Sequence, residues 1–264
     1  MMRDLSTPGW RRPLLLGLPL LALAGAALLL PPIPQPPAYH SFADQSTCLG
    51  MPHCFDVASN LLFVAAGVAG LAFLFSRRGR AAFRDRRERL PYALFFLCVV
   101  LVGLASGYYH LAPDNARLLW DRLAVALALM SWFGAIVTER VDVALGRRLL
   151  PVLLLAGLGS AAYWGWSEAG GHGDLRAYGV MQAVPFVLVP LLLRLYPPRY
   201  DNGRNQLAVL ALYLVALLCD FLDRPIAALT GSLSGHTLKH VVAAGAALLV
   251  IAGIAGRRSL GGGR

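Results

Sequence analysis

Residues 91–110 read PYALFFLCVVLVGLASGYYH, and the fold turns on what this stretch does. It carries no formal charge over twenty residues, about the length an α-helix needs to cross the hydrocarbon core of a bilayer. Comparable runs recur at about 13–30, 57–75, 118–138, 149–166, 177–195, 206–222 and 236–255. Composition agrees. The 264 residues are 57% hydrophobic and only 14% charged, where a soluble domain carries about 25% charged residues. The expectation is an all-α, polytopic membrane helix bundle: a seven-helix core plus one additional N-terminal span, with no soluble domain of any size. No period of 20 to 50 residues repeats, so the chain is a bundle and not an array.

The first run is preceded by MMRDLSTPGWRR and could be read as a secretory signal. Its length of 18 residues and the lack of a small-residue cleavage site favour a retained anchor helix; cleavage is the alternative and leaves the other spans unchanged. PPIPQPP at 31–37 reads as a stiff extended linker. The chain then divides into an anchor helix and linker (1–38), a seven-span domain (39–256) and a basic, frayed tail (257–264).

A net charge of +10 could suggest a nucleic-acid partner. The placement of the charges excludes it, because they sit in short segments between apolar runs, where topology signals belong. Nineteen of the 24 basic residues fall in alternate segments: the N-terminus, 77–89, 139–148, 194–205 and the C-terminal tail. Arg117, Arg122, Arg176, Arg224 and Lys239 are the remainder. This sorting predicts both termini in the cytoplasm, in a bacterial-type inner membrane. Of four cysteines, Cys98 and Cys219 fall within apolar runs as small core residues. Cys48 and Cys54 flank a short loop; they pair only if it faces an oxidising compartment, and spacing alone leaves that open.

With this topology, polar residues gather at the outer ends of five spans. They are Asp56, Ser59 and Asn60; Ser106 and His110; Asp121; Asp220 and Asp223; and His236 and His240. Ser106 and His110 are i, i+4, as are His236 and His240, so each pair shares a helix face. Two imidazoles one turn apart can clamp a metal, and a third from another helix makes a three-histidine set with an open coordination position. That is a catalytic zinc pattern, since a structural site normally closes with four protein ligands. Bland readings stand beside this one. His-x-x-x-His fits two interfacial histidines, Ser106 a packing hydroxyl, and Asp121 a pair with Arg122 or Arg117. Arg224 could neutralise Asp220 or Asp223. A charge at mid-span costs on the order of 3 kcal/mol, less near the ends, and one divalent cation would compensate several such groups together. Tyr108 and Tyr109 read as aromatic-belt residues, with Tyr109 the candidate to line a pocket. Lys239 either meets a head group or snorkels to the interface. His40, His53 and His172 read as solvated loop residues.

SGYYH, WDRL with its Asp eleven residues past that His, and HTLKH near the C-terminus together resemble the alkaline ceramidases, part of a wider seven-span group that includes the progestin and adiponectin receptors. DVASNLLF at 56–63 is similar to the family's first-span opening, and the likeness covers about 40–255. The resemblance implies that His110, His236 and His240 bind Zn2+ and that Ser106 and Asp121 line the site. It further implies an amidase acting on an N-acylated sphingoid lipid, with the membrane lipid as partner. Asp121 would orient and deprotonate water, Ser106 would stabilise the oxyanion, and Asp220 or Asp223 would hold an imidazole N–H. Three departures stand out. The first span is additional to the family's seven. The Ca2+ cluster of animal members is reduced here to Asp44 and Asp56. An aromatic pair in the last motif is replaced by Thr237, Leu238 and Lys239. A receptor or scaffold with a structural zinc is the main alternative; a haem-carrying subunit and a transporter fit the pattern less well.

Overall fold

A computed structural model describes residues 11–260; Arg3, counted above as a topology charge, and the end of the tail at 261–264 lie outside the described residues. The described residues are 79% helical. Eleven α-helices are described: α1 (Arg11–Leu29), α2 (Cys54–Ser59), α3 (Leu61–Phe75), α4 (Arg77–Ala81), α5 (Arg89–Leu111), α6 (Asn115–Arg140), α7 (Val143–Ala169), α8 (Arg176–Leu195), α9 (Gly203–Phe221), α10 (Asp223–Thr230) and α11 (Gly235–Gly256). Eight segments are long and apolar enough to cross a membrane, with α2 and α3 forming one span interrupted at Asn60. The chain is thus an integral, multi-pass membrane helix bundle. Helix starts follow local chemistry: Asp114, Asp142 and Ser234 accept hydrogen bonds from the backbone N–H groups of Arg117, Leu145 and Thr237.

α6 is the most enclosed span, packed between α5 and α7, while α9 and α3 flank α11. α3 and α5 approach closely because glycine leaves room. A Cβ on Gly103 would lie 2.7 Å from the Asn60 carbonyl, and one on Gly67 would lie 2.6 Å from that of Phe96. This contact fixes the height of α5, and with it Ser106 and His110. α1 has no buried residue and packs on α8, outside the core, as an additional span should.

The linker at 31–37 does more than link, and it continues into a folded strap that runs to residue 53. Gln35, Phe42 and Asp44 are buried, and the segment folds across one end of the bundle. A 3-10 turn (Pro37–His40) leads to a two-stranded hairpin, β1 (Thr47–Cys48) and β2 (Met51–Pro52). A disulfide joins Cys48 to Cys54, settling the pairing that the sequence left open. The strap is pinned by Leu175 N–H to Ile33 O (2.8 Å) and Ala43 N–H to Asp223 Oδ2 (2.8 Å). α10, which no apolar run foretold, turns the chain from α9 into α11 and stops at Gly231, whose φ of 72° suits glycine.

The opposite end of the bundle holds a buried polar cluster. Glu139 accepts from Tyr92 Oη (2.9 Å), Gln206 Nε2 (3.0 Å) and Asn202 Nδ2 (3.3 Å), and pairs with Arg257. Nearby, Glu88 pairs with Arg199 (2.7 Å) and accepts from Tyr200 Oη (2.5 Å).

Candidate metal centre

His110 lies in the last turn of α5, and His236 and His240 lie at the start of α11. Among the described residues these three form the one group of three or more potential ligands, with their ligand atoms within 4.8 Å of one another. All three rings are buried, at 0%, 2% and 2% exposure. His236 Nε2 is 3.1 Å from His110 Nε2. Phe42 of the strap packs edge-on against His110 and His236, at centroid distances of 4.6 and 4.5 Å.

Partners of the other ring nitrogens set the tautomers. His236 Nδ1 is 2.7 Å from Asp220 Oδ1, so its proton sits on Nδ1 and Nε2 carries a lone pair. Ser59 Oγ donates its one proton to the Asp56 carbonyl (3.0 Å) and therefore accepts from His240 Nδ1 (2.8 Å). That leaves His240 Nε2 as a lone pair as well. Three imidazoles with two lone pairs assigned by their neighbours, meeting in a buried space, are a donor set suited to a divalent borderline metal. The 3.1 Å between two Nε2 atoms is close to the ~3.3 Å edge of a tetrahedron with metal–nitrogen bonds of about 2.0 Å. His110 Nδ1 is buried without a partner.

The choice between Asp220 and Asp223 is now decided. Asp220 holds the imidazole, and Asp223 instead accepts from the backbone N–H groups of His236 (2.9 Å) and Ala43 (2.8 Å), tying α11 to the strap. Asp56 Oδ1 accepts from Thr237 Oγ1 (2.5 Å) and Ser234 Oγ (3.1 Å). Asp44 accepts from Ser46 Oγ, Ser46 N–H and Asp56 N–H. Burial works to raise the Asp44 pKa, but these hydrogen bonds outweigh it and hold the carboxyl below its ordinary value. Most oxygens of this pair therefore face N–H and O–H donors rather than an oxygen cage, and the calcium expectation gains nothing from the geometry. Asn60 is buried and donates to the Asp56 carbonyl (2.8 Å), bracing the α2–α3 break.

A cavity of about 320 Å³ reaches the histidine group at His240. Ser106, Asp121, Asp220, Lys239 and His240 line its polar end, and Phe95, Val99, Ala128 and Trp132 continue it as an apolar channel. Asp121 forms no ion pair among the described residues, and Arg117 pairs with Asp114 instead (2.9 Å). Several expectations need correction. Tyr109 is 1% exposed yet lies off the cavity: it packs on His110 and its Oη pairs with His40 Nδ1 (2.9 Å), so of the two tyrosines only Tyr108, 49% exposed, suits a lipid-facing belt. Lys239 does not snorkel outward; its Nζ is 3.2 Å from Asp220. His40 and His53 are half-buried, His40 between Tyr109 and Asn115 Oδ1 (2.9 Å) and His53 against the Asp44 carbonyl (2.6 Å). His172 is exposed, as expected. Sequence reasoning missed Gln35, Tyr39 and Phe42, because an irregular strap has no periodicity to betray what it covers.

Compared with known proteins, the chain matches no family model and no curated protein.

Proposed function

We propose that the protein is a zinc-dependent amidase of the bilayer, hydrolysing the amide C–N bond of ceramide-like N-acyl lipids to a fatty acid and a sphingoid-type amine. The observation that carries this reading is the buried His110–His236–His240 group, whose His240 lines a cavity shared with Asp121 and Ser106. Three ligands in place of four favour an open, catalytic position over a closed structural one. The apolar channel favours a lipid: from Asp121 to Trp132 along α6 it runs about 16 Å, at 1.5 Å per residue.

A zinc ion held by three neutral imidazoles supplies acidified water and a positive pole for a developing oxyanion. The chain's own residues do the rest. Asp220 and Ser59 keep His236 and His240 in the tautomers that present Nε2. Asp121 orients the attacking water, accepts its proton as the C–O bond forms, and returns it to the nitrogen as the C–N bond breaks. The Ser106 hydroxyl donates to the amide oxygen as it gains charge; loss of one such donor typically costs about 3 kcal/mol. Phe42 and the strap keep bulk water off the imidazoles.

Charge sorting supports cytoplasmic termini with the site toward the outer face, and the Cys48–Cys54 disulfide at the site end fits an oxidising side. The test is metal analysis of purified protein joined to fatty-acid release from a panel of N-acyl lipids. His236→Ala is expected to lose both metal and turnover, and Asp121→Asn to keep the metal and lose turnover. Metal without release from any amide in the parent protein would favour the receptor or scaffold reading.

A further inference from the structure

The same cavity has a polar wall that the proposed hydrolysis does not use. Arg122 lines it and is 7% exposed. Its guanidinium carbon sits 3.9 Å from the Trp164 ring centre, 5.1 Å from that of Tyr178 and 5.7 Å from that of Tyr39. Nη2 donates to Gln35 Oε1 at 2.5 Å. Nη1 is buried without a partner, as is Nε1 of Trp164, whose ring lies off the cavity lining. Among the described residues Arg122 forms no ion pair, although Asp121 is its neighbour in sequence. The cavity's other carboxylate, Asp220, is already matched by Lys239.

A buried guanidinium without a counter-ion is costly, and buried donors without acceptors are uncommon. Ring faces stabilise such a cation only in part. At membrane depth an ionisable side chain in this state marks a ligand path. On the cavity wall Arg122 Nη1 lacks an acceptor and its guanidinium has no ion-pair partner, so the missing partner is an oxygen acceptor that carries negative charge. A guanidinium edge matches a planar carboxylate in shape as well as charge. The position decides which part of a lipid would supply it. Arg122 is caged by Tyr39 and Gln35 of the strap, away from the apolar channel between Phe95 and Trp132 that suits an acyl chain. A lipid with its chain in that channel would set its amide near Ser106 and Asp121 and its amine half toward Arg122.

We infer that Arg122 recognises a carboxylate on the amine half of the lipid, which narrows the substrate of the proposed amidase from neutral ceramide-like lipids to N-acyl amino acids and replaces the sphingoid-type amine with an amino acid. This rests on reading the cavity as the lipid chamber of the proposed amidase. The test uses the purified full-length protein in detergent. Binding of N-palmitoylglycine, N-palmitoylethanolamine and palmitate is followed by stopped-flow tryptophan fluorescence before turnover, with palmitate release measured in parallel. The parent protein should bind N-palmitoylglycine at least about tenfold more tightly than the ethanolamide. Arg122→Gln should erase that difference, and Arg122→Lys should retain part of it. Equal affinities in the parent protein, a preference that survives Arg122→Gln, or an Arg122-dependent gain confined to palmitate would each overturn the inference. The parent comparison decides the matter even where Arg122→Gln does not fold. Charge-dependent binding with no release from any lipid would keep this subsite and sink the amidase; release without charge preference would do the reverse.

Discussion

Two buried polar clusters occupy opposite ends of the same bundle, and they are built differently. At the end with the termini of α1 and α11 that bear Arg11 and Arg257, charge meets charge: Glu139 with Arg257 and Glu88 with Arg199, with tyrosine and amide donors filling in. At the other end three imidazoles face one another; Asp220 and Ser59 tie the outer nitrogens of His236 and His240, His110 Nδ1 has no partner, and the remaining ring nitrogens converge. The first cluster lies off the 320 Å³ cavity, and the second opens onto it. A cluster whose charges pair with one another holds helices together; one whose lone pairs converge is arranged to hold something else.

That contrast can be broken by mutation. After removal of a histidine ligand, the largest effect is expected from Glu139→Gln. It leaves Arg257 buried and unpaired and should cost about 3–5 kcal/mol of stability, read as a large drop in thermal midpoint in detergent. Folded Glu139→Gln protein should still carry the parent metal content, because the two clusters lie at opposite ends. A loss of metal in that folded fraction would mean the clusters are coupled and the contrast is wrong. Asp220→Asn should act the other way round. It weakens the hold on His236 Nδ1 and should lower metal affinity about 10–100-fold, as measured by competition with a chelator, and should cost less stability than Glu139→Gln because Lys239, which it also unpairs, is partly exposed where Arg257 is not.

The smallest expected effect concerns the strap. Hydrogen bonds from Ser46 and Asp56 keep the folded-state pKa of Asp44 below its unfolded value of about 3.9. Its contribution is therefore complete above that value and is lost as pH falls through the lower folded-state pKa. Hydrogen exchange in residues 42–56 should rise in that acid window, and Asp44→Asn should exchange faster already at pH 6, by a step worth about 1 kcal/mol. Identical protection in parent and variant at pH 6 would remove Asp44 from the account.

The helical architecture was legible because a bilayer imposes length and apolarity on every span, and 91–110 alone states both. The facing pairs were legible because i, i+4 spacing puts Ser106 with His110 and His236 with His240 on shared faces. What was hidden depended on segments without a period. Residues 31–37 read as a linker, and the strap that they begin runs on to residue 53 and covers the site. Arg257 was counted as one topology charge among many, yet it is buried against Glu139. Arg122 was a candidate partner for Asp121, and only the approach of Trp164 from α7 and Gln35 from the strap reveals its cage. Asp220 and Asp223 are one helical turn apart in sequence; the break between α9 and α10 at Leu222 gives them different partners.

The central claim is that one cation is shared by imidazoles from α5 and α11. X-ray absorption at the zinc edge on purified, unchelated protein tests it most directly. The account predicts one zinc per chain with about three imidazole nitrogens at roughly 2.0–2.1 Å and one further light atom, and a spectrum that His110→Ala, His236→Ala and His240→Ala each abolish. No bound metal in the parent protein, a sulfur-ligated spectrum, or one that survives all three substitutions would contradict it.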